Sequence, residues 1–387
     1  MQASPIWRRS LGEPRRILFP YIGDSVGGSH ISSLFLARHL PADRFVPVVG
    51  VHMHGLLDDY LGQIGVAPVE LPTVDYPRMI PAWTQPLRIW STGRRLASWL
   101  SDHEIDLVHS HDRRMHLSYA IACPKAEIPH IWHQRTPKQS AKMNEYSDRS
   151  AAILTVSDFT RDSLPERSRN RTKVVLNPFL APADIDRSAA RQRVLDAVGF
   201  QVDGPLVAYV ANLDDRKDPM TFVAAAALMA KARPDVGFVM FGEARPPQAD
   251  AVFAAIAKAG LAERCVHLGL RYPMEEWLTG CDVLLAPSRH EALSRTAIEA
   301  LLFGLGLVAS DEGGYPEIVA DHPTGRLVPP ADPAAFAAAT LDLLGEWPPR
   351  SEIRQQVVDA VADRYGLQRH LDLVCAVYDQ CLGQAQS

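Results

Sequence analysis

The chain lacks any long hydrophobic run: nothing in its 387 residues approaches the roughly 18 consecutive apolar residues that a membrane-spanning helix needs. The N-terminal stretch MQASPIWRRSLGEPRR carries basic residues but no apolar segment of the signal-peptide kind. Cysteine is scarce. Cys123, Cys265, Cys281, Cys375 and Cys381 are odd in number and lack metal-ligand spacing, so they read as buried thiols of a reducing cytoplasm. No phosphate loop ending in Gly-Lys-Ser/Thr is present. The glycine-bearing loop GDSVGGSH departs from G-x-G-x-x-G, and the strand that follows ends in His52-Met53-His54 with no acidic residue for a ribose. A dinucleotide fingerprint is therefore excluded. Charge of one sign is also missing: a net −5 argues against nucleic acid as a partner.

What is present is the composition of a globular protein, 47% hydrophobic and 22% charged, in a chain long enough for two domains. The modest net charge hides an asymmetry. Residues 1–180 hold 22 lysines and arginines against 17 acidic residues, whereas the remainder holds 18 against 28. Ten of the fourteen histidines fall in the first 180 residues. Two halves with different partners are implied.

Each half alternates strand and helix. In the first, ILFPYI, FVPVVGVH, EIDLVHS, IPHIWH, AAILTVS and TKVVLNP read as strands, with helices at ISSLFLARHL and PLRIWSTGRRLASWL. The pattern restarts at Gly204: PLVAYVAN, VGFVMFGE, CVHLGL, DVLLAPS and GLVASD are strands, and DPMTFVAAAALMAKA is a helix. The class is α/β, with two doubly wound, Rossmann-like domains and ligands at the C-terminal ends of their strands, in a cleft between the domains. The join falls in Asn177-PFLAPADIDRSAA, where prolines interrupt the pattern. Domain bounds are expected at 1–180 and 181–365. The final segment, 366–387, contains the amphipathic GLQRHLDLVCAVYDQCL, expected to pack back on the first domain.

Two loops of the second half carry chemistry. Asn212-LDDRKD leaves a strand and brings Arg216 and Lys217 together, a guanidinium and an ammonium suited to a diphosphate. SRHEALSRTAIEALLFG leaves another strand. Ser294 can cap its helix and Gly304 close it, which points the amides of Arg295, Thr296 and Ala297 at an anion. Glu291 and Glu299 beside an anion site make sense if the ligand also bears hydroxyls. A phosphorylated sugar or a nucleotide ribose meets both demands. In the first half, His109-Ser-His111-Asp112 ends a strand with both histidines on one face. Two histidines without a further cluster are more often polar cleft or core residues than metal ligands, so no metal is expected.

ANLDDRKDP, HEALSRTAIEALLFG, SDEGGYPEIV and TGRLVPPADPAAFA, taken in that order, resemble the segments of glycosyltransferase family 4, retaining enzymes of GT-B fold. The resemblance spans nearly the whole chain and is strongest from Gly204 to Ala338. It implies that Arg216 and Lys217 bind a donor diphosphate, that Glu299 binds the nucleotide ribose, and that Glu291 lies by the transferred sugar or its phosphate. Ser294, Arg295 and Thr296 join them at the donor. His133, ending IPHIWH, matches the family histidine that contacts the donor sugar near the reacting carbon. Gly27-Gly28 matches a double glycine that lets backbone approach the donor phosphate and the acceptor, with Gly28 on the donor and Gly27, His109 and His111 on the acceptor side. The base is expected on backbone around Val266–Leu270, including Leu268, and on Tyr272. Neither a cofactor nor a metal is implied.

The chain departs from the family at Leu293-Ser294, where Phe-Gly is usual, at Gly306, where Pro is usual, and at Asn177-Pro178, where Asn-Gly is usual. The implied activity is transfer of a sugar from a nucleoside-diphosphate sugar to a saccharide or lipid-linked acceptor, as in making cell-envelope polysaccharide, glycolipid or another glycoconjugate. A sugar-nucleotide 2-epimerase of the same architecture and a non-catalytic nucleotide-sugar-binding protein remain the alternatives. Trp83, Trp90 and Trp99 with Arg88, Arg94 and Arg95 lie around one helix. They leave open a cytoplasmic enzyme resting on an anionic inner-membrane surface, or one whose arginines merely solvate helices.

Overall fold

The structure is a computed structural model that describes residues 13–74, 85–137, 141–180, 185–319, 322–345 and 351–384. β1 (Arg15–Tyr21) is buried from Ile17 onward, as a strand covered on both faces must be. Parallel to it run β2 (Phe45–Val51), β3 (Val69–Glu70), β4 (Leu107–Ser110), β5 (His130–Gln134), β6 (Ala152–Thr155) and β7 (Thr172–Val174). Their order is β3-β2-β1-β4-β5-β6-β7, so the winding reverses between β1 and β4. A second parallel sheet comprises β8 (Leu206–Val210), β9 (Gly237–Phe241), β10 (Cys265–Gly269), β11 (Val283–Ala286), β12 (Gly306–Ser310) and β13 (Gly325–Val328). Its order, β10-β9-β8-β11-β12-β13, reverses between β8 and β11. In such sheets the reversal opens a crevice at the carboxyl ends of the two strands.

The chain divides into two compact units, one formed by Met1–Pro178 with Leu367–Ser387 and the other by Phe179–Gly366. The chain leaves the first unit at Pro178 and rejoins it at Leu367. The last helix, Leu367–Gln384, shows why. Leu371, Val374, Cys375, Tyr378 and Cys381 recur at helical spacing, and all are buried against Ile17, Phe19, Tyr21 and Phe45 of the first sheet. Each such side chain is worth about 2 kcal/mol on burial. Phe45 and Tyr378 meet edge to face, with ring centroids 5.2 Å apart. A salt bridge from Arg44 to Asp379 at 2.7 Å closes the exposed end.

β3 and β13 are not evident in the sequence. β3 is two exposed residues and β13 is mostly half-buried at a sheet edge, so neither forms the apolar run that marks an inner strand. All five cysteines are buried free thiols. Among the described residues, no helix is long and apolar enough to cross a membrane.

Candidate active site

The loops leaving β8 and β11 meet at the reversal point of the second sheet. After β8 the chain makes a short 3-10 turn, Asp215–Lys217, capped by Asp214, whose carboxylate accepts from the Lys217 amide at 3.1 Å. Asp218 then takes a left-handed conformation (φ 48°) and caps the helix Pro219–Ala232 through the Thr221 amide. The buried Tyr209 hydroxyl donates from beneath to the carbonyls of Asn212 at 3.2 Å and Lys217 at 3.3 Å. The turn thus sets the two cations side by side. Glu291, on the loop after β11, receives them both. Its Oε1 accepts from Arg216 Nη1 at 2.9 Å and from Lys217 Nζ. Glu291 is 11% exposed, Lys217 21% and Arg216 51%, a gradient running from the floor of the site toward solvent. The Arg289 amide donates to the Arg216 carbonyl at 2.8 Å and stitches the loops together.

A third segment supports Glu291. The Gly314 amide donates to the Glu291 carbonyl at 2.8 Å, and a Cβ on Gly314 would lie 2.4 Å from the Ala292 carbonyl oxygen. Gly313 has φ +68° and lies as close to Glu291 itself, so neither glycine tolerates a side chain.

The helix Arg295–Leu302 begins as expected, with Ser294 as its cap. The Ser294 hydroxyl already holds the Ala297 amide, at 3.4 Å, which takes that amide out of the expected anion-binding set. Thr296 Oγ1 lies 3.2 Å from the same hydroxyl. Glu299, one turn in, pairs with Arg295 at 3.3 Å, and the Arg295 guanidinium lies 4.5 Å from the centre of the Phe179 ring. Burial pushes the Glu299 carboxyl up, against the pull of Arg295, while Glu275 adds to the rise. Leu268 and Tyr272 stand apart on the β10 side of β9. The Leu268 side chain is buried, and Tyr272 is 73% exposed.

In the first unit, Gly27 caps the helix Gly28–His39 after β1 in extended backbone, with a φ of −159°. A Cβ there would meet nothing nearer than 3.9 Å, so neither conformation nor packing demands this glycine. His109 lies on β4, His111 directly follows that strand, and His133 lies on β5. The register pairs His109 with Ile131, which puts these three histidines and Arg135 on one face of the sheet. His109 and His133 stack at 5.3 Å, and the ligand nitrogens of the three lie within 4.8 Å of one another. Burial holds all three well below the ordinary histidine range, and the Arg135 charge lowers them further. Arg135 also donates to Asn177 Oδ1, and Tyr378 of the last helix lies 2.7 Å from His109 Nδ1. Sequence reading missed Arg135, Asn177 and Tyr378. The spacing of two between His133 and Arg135 is the signal that could have found the first.

On the opposite face, Ser110 Oγ lies 2.7 Å from His116 Nδ1 and from His130 Nε2, and His116 stacks on Trp132. Trp90 is 50% exposed under the Arg94 guanidinium, and Trp99 stacks on His103. Trp83 lies outside the described residues.

Residues 26–179 match Glycosyltransferase Family 4, and residues 204–346 match Glycosyl transferases group 1. A 2-deoxystreptamine glucosyltransferase of Streptomyces kanamyceticus is 31% identical over 273 residues, 68% of this chain and 69% of that protein. This chain belongs to glycosyltransferase family 4. The lipopolysaccharide core mannosyltransferase LpsB of Rhizobium meliloti is 23% identical over 81% of this chain and 87% of its own. Among solved structures, Anabaena HepE in complex with UDP superposes with a TM-score of 0.78 at 19% identity, covering 95% of this chain and all of that one. A glycosyltransferase from Rickettsia africae gives 0.82 at 17% identity, covering 95% and 99%. The fold of the glycosyltransferase is thus GT-B, with its two parallel sheets each flanked by helices.

Proposed function

We propose that this glycosyltransferase moves a sugar from a nucleoside-diphosphate sugar to an acceptor hydroxyl, with retention at the anomeric carbon. The observation that carries the reading is the single carboxylate oxygen of Glu291 that takes both Arg216 and Lys217. Two cations held on one oxygen, at the carboxyl ends of β8 and β11, suit exchange onto a diphosphate that offers more charge than Glu291 does. HepE has been solved with UDP and with UDP-glucose, and the relatives named above are a glucosyl- and a mannosyltransferase, which supports a donor of this class.

In the reaction, the acceptor oxygen bonds to the anomeric carbon on the face from which the diphosphate departs. The bond to the leaving phosphate oxygen breaks, and that oxygen takes the acceptor's proton, so no protein base is needed. Arg216, Lys217 and the first amides of the helix Arg295–Leu302 stabilise charge developing on the phosphate. Glu299 exchanges Arg295 for the ribose hydroxyls, and Glu291, released from the cations, orients the sugar. No step uses a metal or another cofactor. A thermal-shift screen against UDP-, GDP-, ADP- and dTDP-sugars identifies the donor, since binding to the native state raises its apparent stability. Product analysis then tests the chemistry: a glycosylated acceptor with retained configuration supports the reading, while an epimerised donor or no turnover rejects it.

The exposed Trp90 with Arg88 and Arg94 suits a cytoplasmic enzyme that touches an anionic membrane to reach a lipid-linked acceptor. Co-sedimentation with anionic but not neutral vesicles, lost in high salt, is the outcome that supports it. Absence of binding at low salt points to a soluble acceptor.

A further inference from the structure

At the amino ends of β8 and β11, the far end of those strands from Glu291, the second unit holds a cavity of about 530 Å³. That is a size at which proteins take small molecules. Its wall includes Arg187, Ser188 and Arg191 of the helix Arg187–Val198, Arg233 at the end of the helix Pro219–Ala232, and Leu344. Asp282 is the one carboxylate among its described lining residues, and it is fully engaged. Its Oδ1 accepts from Arg187 Nη2 at 2.8 Å, and its Oδ2 from Arg191 Nη1 at 2.7 Å and the Leu206 amide at 2.8 Å. Arg191 also donates to the carbonyls of Gly280 and Gly204. Arg233 donates to Asp235 and to the Leu344 carbonyl, each at 3.2 Å. Arg187 Nη1 is buried and has no hydrogen-bond partner among the described residues, so this guanidinium is matched on one of its two terminal nitrogens only. Close by, Arg354 donates to the Phe303 carbonyl at 2.9 Å, and burial together with the Arg187 charge pulls the Arg354 guanidinium down.

Anchoring a helix to the start of a strand needs one arginine on Asp282. Here four guanidiniums, Arg187, Arg191, Arg233 and Arg354, share two carboxylates, Asp282 and Asp235. The excess of positive charge runs against its surroundings, since residues 181–387 hold 18 lysines and arginines against 28 acidic residues. Like charges around a half-buried hollow repel one another, and the cost falls when an anion joins them. An arginine N–H buried without an acceptor adds its own desolvation cost. Forked, permanently charged donors converging on one cavity suit the several oxygens of a phosphate, and an excess of two charges matches a dianion. We infer that this cavity binds a phosphate group, either free or esterified to a small molecule, about 15 Å from the cation loop along β8. Neither Arg216, Lys217 nor Glu291 takes part, so the site stands whether or not they hold a diphosphate.

The test is calorimetric titration of the full chain carrying Arg216→Ala and Lys217→Ala, which removes the other cation pair from competition. Inorganic phosphate and glucose 6-phosphate are titrated separately. Saturable one-to-one binding is expected with a Kd of ~10 mM or tighter, and the tighter probe tells a free phosphate from an ester. Ser188→Glu, added to that chain, puts a carboxylate on the cavity wall. Ser188 is exposed and in the first helical turn, where an acidic residue favours the helix, so folding is preserved. This variant should lose binding because it supplies the anion itself, whereas the neutral Ser188→Gln should stay within ~3-fold of its parent. Arg233→Gln should weaken binding ~10-fold. No binding of either probe, binding undiminished in Ser188→Glu and Arg233→Gln, or equal loss in Ser188→Glu and Ser188→Gln would each overturn the inference. Because the parent chain already lacks Arg216 and Lys217, such a failure leaves the diphosphate assignment untouched.

Discussion

The reversal points of the two sheets share a topology and differ in electrostatics. At β8 and β11, charge is matched by charge: Glu291 holds Arg216 and Lys217, and Arg295 holds Glu299, all at least partly open to water. At β1 and β4, with β5 beside them, one guanidinium is surrounded by neutral imidazoles that water does not reach. Of these groups only Arg216 is half-exposed, and an ion pair is worth less the more it is open to water. A buried polar network is costly to disturb and so fixes geometry. One scaffold thus carries water-accessible ion pairs on one unit and a buried polar network on the other, the difference lying in a few residues at strand ends.

The comparison breaks most visibly at the cations. Lys217→Ala, and separately Arg216→Ala, should each lower kcat/KM by ~10²-fold or more, with the thermal midpoint nearly unchanged. Steady-state kinetics beside a calorimetric melt checks both halves of that statement. Arg135→Met should do the opposite and damage stability first. Removing a buried charged donor from His111, His133 and Asn177 should cost about 3 kcal/mol, read from the urea midpoint of the first unit.

Acid sharpens the same contrast. Burial pushes His52 down to about 4, and His130 and His370 down to about 3. In the unfolded chain these imidazoles take up protons near pH 6.5, whereas in the folded chain they stay neutral well below it. Between those limits the unfolded state binds more protons. Stability is therefore full above pH 6.5 and is lost as pH falls toward 4, by about 2 kcal/mol per group at pH 5. Hydrogen exchange read by peptide from pH 7.5 to 5 should show the first unit opening before the second, which holds only His267, His290 and His322. Simultaneous opening would mean that the imidazoles are not the cause. The smallest effect belongs to the carboxylates. Glu299→Gln should raise the donor KM ~10-fold with kcat little changed, because a ribose is held alike in ground and transition states. Glu291→Gln should instead lower kcat, and exchanged phenotypes in donor-saturation kinetics would exchange the two roles.

The cation site was legible in the sequence because its parts sit on loops just after apolar strands. Arg216, Lys217 and Glu291 are polar where the pattern of Leu206–Val210 and Val283–Ala286 stops, and doubly wound topology brings those two stops together. The buried network was only half legible. His109 and His111 stand out as a pair and His133 by itself, but Arg135 passes as the polar end of a strand and Tyr378 as one residue of a helix some 240 positions away. What joins them is contact across the sheet face, which periodicity cannot express. Ser294 is legible as a helix cap, but that its hydroxyl occupies the Ala297 amide follows from the local geometry and not from residue type.

The return of the last helix to the first sheet sets an order of assembly on the ribosome. Phe179–Gly366 is contiguous and can close its core as soon as it has emerged. The first unit cannot, because Leu371, Val374, Tyr378 and Cys381, which seal Ile17, Phe19 and Phe45, are synthesised only after the whole second unit. The unit begun before the second is completed only after it. A stop codon before Leu367 would therefore spare the unit it directly follows and unfold the one made nearly 200 residues earlier.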